Sequence, residues 1–175
     1  DKPLPWDLKL RFAWEIALGI KYLHSTSPAL IHRDLKSPNI LLKAVTVDAP
    51  VCCKITDFGL AAQLYSGQMT AVNAREREVN NPAWLAPEIL LEKDYDESAD
   101  VYAFGVILWE LAARAHPFGE FNFEWTTDLE KAVKEGVRPT IPQDCSAEYR
   151  HLIELCWAQE PSLRPTAAVI ADELL

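Results

Sequence analysis

The chain has 175 residues, of which 49% are apolar and 25% charged, the composition of an ordinary globular protein and about the length of one domain. Its net charge of −9, with no run of Lys or Arg, excludes a binder of phosphate backbones, so no nucleic-acid partner is expected and any nucleotide taken is a small one. No apolar run of about 18 residues marks a membrane span in this segment, and no signal-peptide pattern marks secretion.

From Asp7 to about His24, Phe12, Ile16, Ile20 and Leu23 recur at helical spacing beside Ala13 and Ala17, while Lys9, Arg11, Glu15 and Lys21 take the other positions. This predicts a one-sided helix. Ser25-Thr26-Ser27-Pro28 breaks it, and two short apolar runs, Asn39 to Leu42 and Val51 to Ile55, flank a loop with Asp48 and Pro50, which predicts a strand pair. Residues 57–88 lack periodicity and carry Gly59, Gly67, Asn80-Asn81 and two prolines, so they read as one long loop, a length that is usually functional or disordered. Ala99 to Ala115 is apolar nearly all round, interrupted by Glu110 and Arg114, and a helix of that kind must be buried on every side. Three more helices are predicted: Thr127 to Glu135, ended by Gly136; Ser146 to Ala158, with Tyr149, Leu152, Ile153 and Cys156 on one face; and Thr166 to Leu175. The fold class is therefore mainly α with a small β hairpin.

A chain of this size buries roughly 70% of the surface its unfolded form exposes, so no disulfide or metal is needed for stability. Cys52 and Cys53 are adjacent, Cys145 and Cys156 stand apart, and neither zinc-ligand nor disulfide spacing occurs. Cys52-Cys53 reads as strand packing rather than a redox pair. The expected compartment is reducing and cytoplasmic, or the cytoplasmic face of a membrane if a longer parent carries a span. Asp1 in place of an initiator Met, with Pro3-Leu4-Pro5 and a helix close behind, reads as a cut within a longer polypeptide.

The informative string is His32-Arg33-Asp34-Leu35-Lys36-Ser37-Pro38-Asn39, in a loop before a strand, followed by Asp57-Phe58-Gly59 at a strand end and by Ala86-Pro87-Glu88 ahead of the buried helix. In this order and these contexts, the three resemble the signature set of the eukaryotic-type protein kinases. Lys36-Ser37-Pro38-Asn39, Pro82-Ala83-Trp84-Leu85-Ala86-Pro87-Glu88, and Leu155-Cys156-Trp157 before Arg164-Pro165 further resemble the tyrosine-kinase-like group, whose members mostly phosphorylate Ser and Thr. The resemblance covers nearly the whole chain and implies the C-terminal lobe of the protein-kinase-like α+β fold, with 24–42 as catalytic-loop region, 57–88 as activation segment and 99–175 as helical subdomain.

Phosphoryl transfer asks a protein mainly for positioning and charge neutralisation. The resemblance implies that Asp34 accepts the proton of a protein hydroxyl, that Lys36 meets the γ-phosphate of ATP, and that Asn39 and Asp57 hold Mg²⁺, or Mn²⁺, through hard oxygens. It places Leu41 beneath the adenine ring and stacks His32 on Phe58, ahead of Gly59, in a hydrophobic column. Glu88 and Arg164 match a buried ion pair, and Asp100 an acceptor for catalytic-loop backbone. Arg33 matches the receiver of an activation-loop phosphate, since a guanidinium binds one in bidentate fashion. Between Ala71 and Asp94 there is no Ser, Thr or Tyr, so control is expected at Tyr65, Ser66 or Thr70, or with Glu76 or Glu78 standing in for the phosphate.

Two departures matter. Asn80-Asn81 stand where the group has Gly-Thr, which leaves Ser/Thr against Tyr preference open. The six glycines, at 19, 59, 67, 105, 119 and 136, form no Gly-rich nucleotide loop, and no Val-Ala-Ile-Lys strand occurs. The N-terminal lobe is therefore expected to be absent from this chain and supplied by the parent, leaving the isolated chain a poor ATP binder without meaningful activity. The rival from another class is a pseudokinase, a scaffold that keeps the fold for protein–protein interaction, although Asp34, Lys36, Asn39 and Asp57 are all present. A plain helical binding domain would need the ordered motifs to be coincidence, and a metal hydrolase would need paired ligands. His24, His32, His116 and His151 show no such spacing, and His24 and His116 read as helix-end residues.

Overall fold

The computed structural model describes residues 4–65 and 82–175. Helix α1 (Trp6–His24) begins after the extended Pro5, with Asp7 in its first turn and Lys21 and His24 in its last, an arrangement that favours both ends of the helix dipole. Its apolar stripe from Leu8 to Leu23 is buried. Lys9 and Glu15, at the positions off the apolar stripe, nonetheless turn to partners within the fold. Lys9 buries its stem and donates from Nζ to the carbonyl of Ala112 at 3.0 Å, with burial holding its pKa below the usual lysine range. Glu15 accepts the backbone N–H groups of Cys52 and Cys53 at 2.8 and 2.7 Å.

Four three-residue strands follow: β1 (Ala29–Ile31), β2 (Ile40–Leu42), β3 (Cys53–Ile55) and β4 (Ala62–Leu64). β2 and β3 pair antiparallel, Ile40 opposite Ile55, and form the hairpin read from sequence. Its first strand starts later than expected because Ser37–Asn39 winds into a 3-10 turn. β1 and β4 form a second antiparallel pair that the sequence reading lacked. Residues 57–88 are thus not a single loop: β4 and a 3-10 turn at Pro82–Trp84 fall within them, and the short helix α2 (Pro87–Leu90) begins there. Strands of three residues are too short for alternation to show, and β1 finds its partner only through the folded chain.

Helix α3 (Ser98–Ala113) is the central element, buried at every position from Ala99 to Trp109. Three more helices follow: α4 (Thr126–Lys134), α5 (Ala147–Cys156) and α6 (Ala167–Glu173). The last two start one residue later than predicted because Ser146 and Thr166 are N-caps, their hydroxyls accepting from the N–H of Tyr149 and Val169. α1 packs on α6, and α3 packs on α5. That second contact is close: a Cβ on Gly105 would lie 2.9 Å from both Cys156 Cβ and the Trp157 backbone nitrogen. Gly105→Ala is therefore expected to destabilise by about 1–3 kcal/mol despite its better helix propensity, read as a lower urea midpoint.

All four cysteines are free and buried. Burial and the Glu15 carboxylate push the Cys53 thiol up to about 12, which keeps it protonated and inert.

Candidate active site

The loop between β1 and β2 is gripped by one carboxylate. Asp100, buried in the first turn of α3, accepts the N–H of His32 at 2.8 Å on Oδ2 and that of Arg33 at 2.9 Å on Oδ1. His24 Nε2, at the end of α1, lies 2.9 Å from the same Oδ2. Two backbone bonds to one rigid carboxylate hold Arg33 in the left-handed region, φ 65°, which is uncommon for a non-glycine residue. From sequence His24 reads as a helix-end residue, which it is, with no sign of this contact. Nothing in the spacing of two residues 76 positions apart could have signalled it.

Downstream, Asp34 is tied to its neighbours. Lys36 Nζ lies 2.8 Å from Asp34 Oδ2, and Asn39 Nδ2 donates to the backbone oxygen of Asp34 at 2.7 Å and to Oδ2 at 3.0 Å. The Ser37–Asn39 turn brings Asn39 back toward Asp34, closed by Asn39 N–H to Lys36 carbonyl at 2.9 Å. Asp57 is attached to this cluster through its predecessor. The N–H of Thr56 donates to the Asn39 carbonyl at 2.9 Å, and the Thr56 carbonyl lies 3.0 Å from His32 Nε2. Asp57 follows with φ 63°, turning the chain outward, and its Oδ1 accepts from Gly59 N–H at 3.4 Å. The His32 and Phe58 rings sit 5.0 Å apart, and Arg33 Nε donates to the Leu60 carbonyl.

Leu41 on β2 is more than half exposed, and Phe58, after Asp57, is nearly so. Tyr65, just after β4, is 80% exposed, its hydroxyl bonded to Gln63. Ser66, Thr70, Glu76, Glu78, Asn80 and Asn81 lie outside the described residues. Glu88 on α2 meets Arg164 in a bidentate pair, Nη1–Oε1 2.6 Å and Nη2–Oε2 2.8 Å. Glu110, in sequence only an interruption of an apolar helix, accepts from both Ser37 and Trp84.

Among the described residues no three His, Cys, Asp or Glu gather into a metal cage. Mg²⁺ beside a nucleotide does not require one, because it keeps water and phosphate oxygens and takes one or two side-chain oxygens. The carboxylate of Asp57 and the amide oxygen of Asn39 are hard donors of the type that fits such an ion.

The sequence model of the family described as protein tyrosine and serine/threonine kinase matches residues 1–174. The chain belongs to that family. Among curated relatives, this kinase chain is 49% identical over 172 residues to cyclic GMP-binding protein C of Dictyostelium discoideum, covering 98% of the chain and 6% of that protein. It is 47% identical over 171 residues to the probable serine/threonine-protein kinase pats1 of the same organism, covering 97% and 5%. With the probable serine/threonine-protein kinase roco8, also from Dictyostelium discoideum, it shares 41% over 164 residues, covering 93% and 8%. The kinase chain thus spans under a tenth of the length of these relatives. Among the described residues no helix is long and apolar enough to cross a membrane.

Proposed function

We propose that this chain is the catalytic-loop-bearing C-terminal lobe of a kinase that transfers the γ-phosphate of ATP to a protein Ser or Thr hydroxyl. The observation that carries the reading is the bonded cluster of Asp34, Lys36 and Asn39, built on a loop clamped by Asp100 and joined through Thr56 to Asp57. Asp34 accepts the acceptor hydroxyl's proton and orients its oxygen for in-line attack. Lys36, within reach of Asp34, supplies positive charge where the transferring phosphoryl group meets the attacking oxygen. Asn39 and Asp57 hold Mg²⁺ or Mn²⁺, which when bound neutralises phosphate charge. Leu41 offers an apolar floor to the adenine, and Arg33 a guanidinium to a phosphorylated residue of the activation segment, with Tyr65 as an exposed candidate.

The other half of the ATP site, a Gly-rich loop and an ATP-anchoring Lys, belongs to an N-terminal lobe outside this chain. The test compares the complete protein with the isolated chain in ATP-dependent phosphate incorporation into a generic peptide, with phosphoamino-acid analysis. The complete protein is expected to modify Ser or Thr, to stop with EDTA and to resume with added Mg²⁺, while the isolated chain transfers nothing measurable. Robust transfer by the isolated chain overturns the lobe assignment. A complete protein that binds partners but transfers no phosphate favours the scaffold reading.

A further inference from the structure

We propose that Glu110 is a positioning residue that sets the spacing between the catalytic loop and the segment leading into Ala86-Pro87-Glu88, holding one of them on each oxygen of a single carboxylate. The inference rests on the kinase reading above and adds to it a residue that none of the motifs contains.

Glu110 lies near the end of α3, where the preceding eleven residues are buried. Its Oε1 accepts from Ser37 Oγ at 2.7 Å and its Oε2 from Trp84 Nε1 at 2.8 Å. Ser37 directly follows Lys36, whose ammonium is on Asp34, and opens the turn that closes on Asn39. Trp84 is buried, ends the Pro82–Trp84 turn and packs edge-on against His116 at 5.6 Å between ring centres. Two loops far apart in sequence are therefore referenced to the same rigid helix by one side chain. Burial pushes the Glu110 carboxyl above its ordinary range, and the bonds from Ser37 and Trp84 pull the other way. A carboxylate kept in a desolvated place is costly unless donors satisfy it, and here two do.

The polarity of the two partners makes the proposal specific. An indole N–H can only donate, so the group facing Trp84 must accept, whereas a serine hydroxyl can donate or accept. Gln at 110 can satisfy both, turning its oxygen to Trp84 and its amide nitrogen to Ser37. Leu can satisfy neither and leaves the buried indole N–H unpaired.

In the complete protein, Glu110→Leu is expected to lower kcat/KM for a peptide acceptor about tenfold or more, the scale of losing hydrogen bonds to a charged group, while KM for ATP stays within about twofold. Glu110→Gln is expected to recover most of that loss. Ser37→Ala and Trp84→Phe should be coupled in a double-mutant cycle, and the coupling should vanish in the Glu110→Leu background. As a readout independent of activity, native-state hydrogen exchange should show the amides of residues 33–37 and 83–86 losing protection together in Glu110→Leu and keeping it in Glu110→Gln. If Glu110→Leu fails to fold, the cycle between Ser37 and Trp84 in the folded background decides, and additive effects there overturn the proposal. So does a Glu110→Gln variant as impaired as Glu110→Leu, or a folded Glu110→Leu variant with unchanged peptide kinetics and exchange. An unsubstituted complete protein that transfers no phosphate defeats the kinase reading instead, and exchange at the two loops then still decides the role of Glu110.

Discussion

Asp34→Ala in the complete protein is expected to lower phosphate transfer by about 10²–10⁴-fold, the range that a positioned acid–base group contributes, with little change in stability. The fold tolerates the loss because Asp34 is partly exposed and its carboxylate does not hold the loop up by itself. Asn39 keeps its bond to the backbone oxygen of residue 34, and Asp100 keeps the His32 and Arg33 amides. The sharper variant is Asp34→Asn. Its side-chain oxygen can still accept from Lys36 and Asn39, so the loop keeps its geometry, but an amide cannot take the acceptor's proton. Transfer should fall nearly as far as in Asp34→Ala, measured as single-turnover phosphate incorporation beside a thermal melt. Activity within about twofold of the unsubstituted protein, with the melt unchanged, would show that Asp34 serves the loop and not the reaction.

The largest effect on stability is expected at the Glu88–Arg164 pair. The Arg164 side chain has no exposed surface and that of Glu88 only 6%. Besides the bidentate contact, Arg164 donates from Nε to the Ala158 carbonyl at 2.9 Å and from Nη1 to the Ser98 carbonyl at 3.1 Å, with its guanidinium 5.1 Å from the Tyr102 ring centre. One side chain thus joins α2, the start of α3 and the stretch between α5 and α6. Glu88→Ala leaves the guanidinium buried without a counter-charge, and Arg164→Ala leaves a carboxylate in the same state; each is expected to cost about 3–5 kcal/mol. For a chain of this size that lowers the melting temperature by about 6–20 °C. The doubly substituted Glu88→Leu, Arg164→Met should cost clearly less than the two single losses added, because most of each single cost is the stranded partner's desolvation. Urea titration of the three variants checks both statements. Additive losses, or single losses below about 1 kcal/mol, would remove the pair as the tie between these elements.

How much of this was legible beforehand follows from the range over which each feature is encoded. The span of α1, the buried α3 and the hairpin of β2 and β3 are written in apolar spacing over neighbouring residues, and the strings around Asp34, Asp57 and Glu88 carry their family likeness in consecutive letters. What folding alone decided are the contacts whose partners lie far apart. β4 exists because β1 is there to pair with it. Lys9 and Glu15 leave the polar face assigned to them because a helix end and a strand's free amides offer buried partners. His24 reaches Asp100, and Glu110 reaches Ser37 and Trp84, by side-chain direction. Periodicity reports which face of an element is apolar; which buried polar group finds which partner is settled only when the elements pack, because an unpaired group in the interior is too costly to leave.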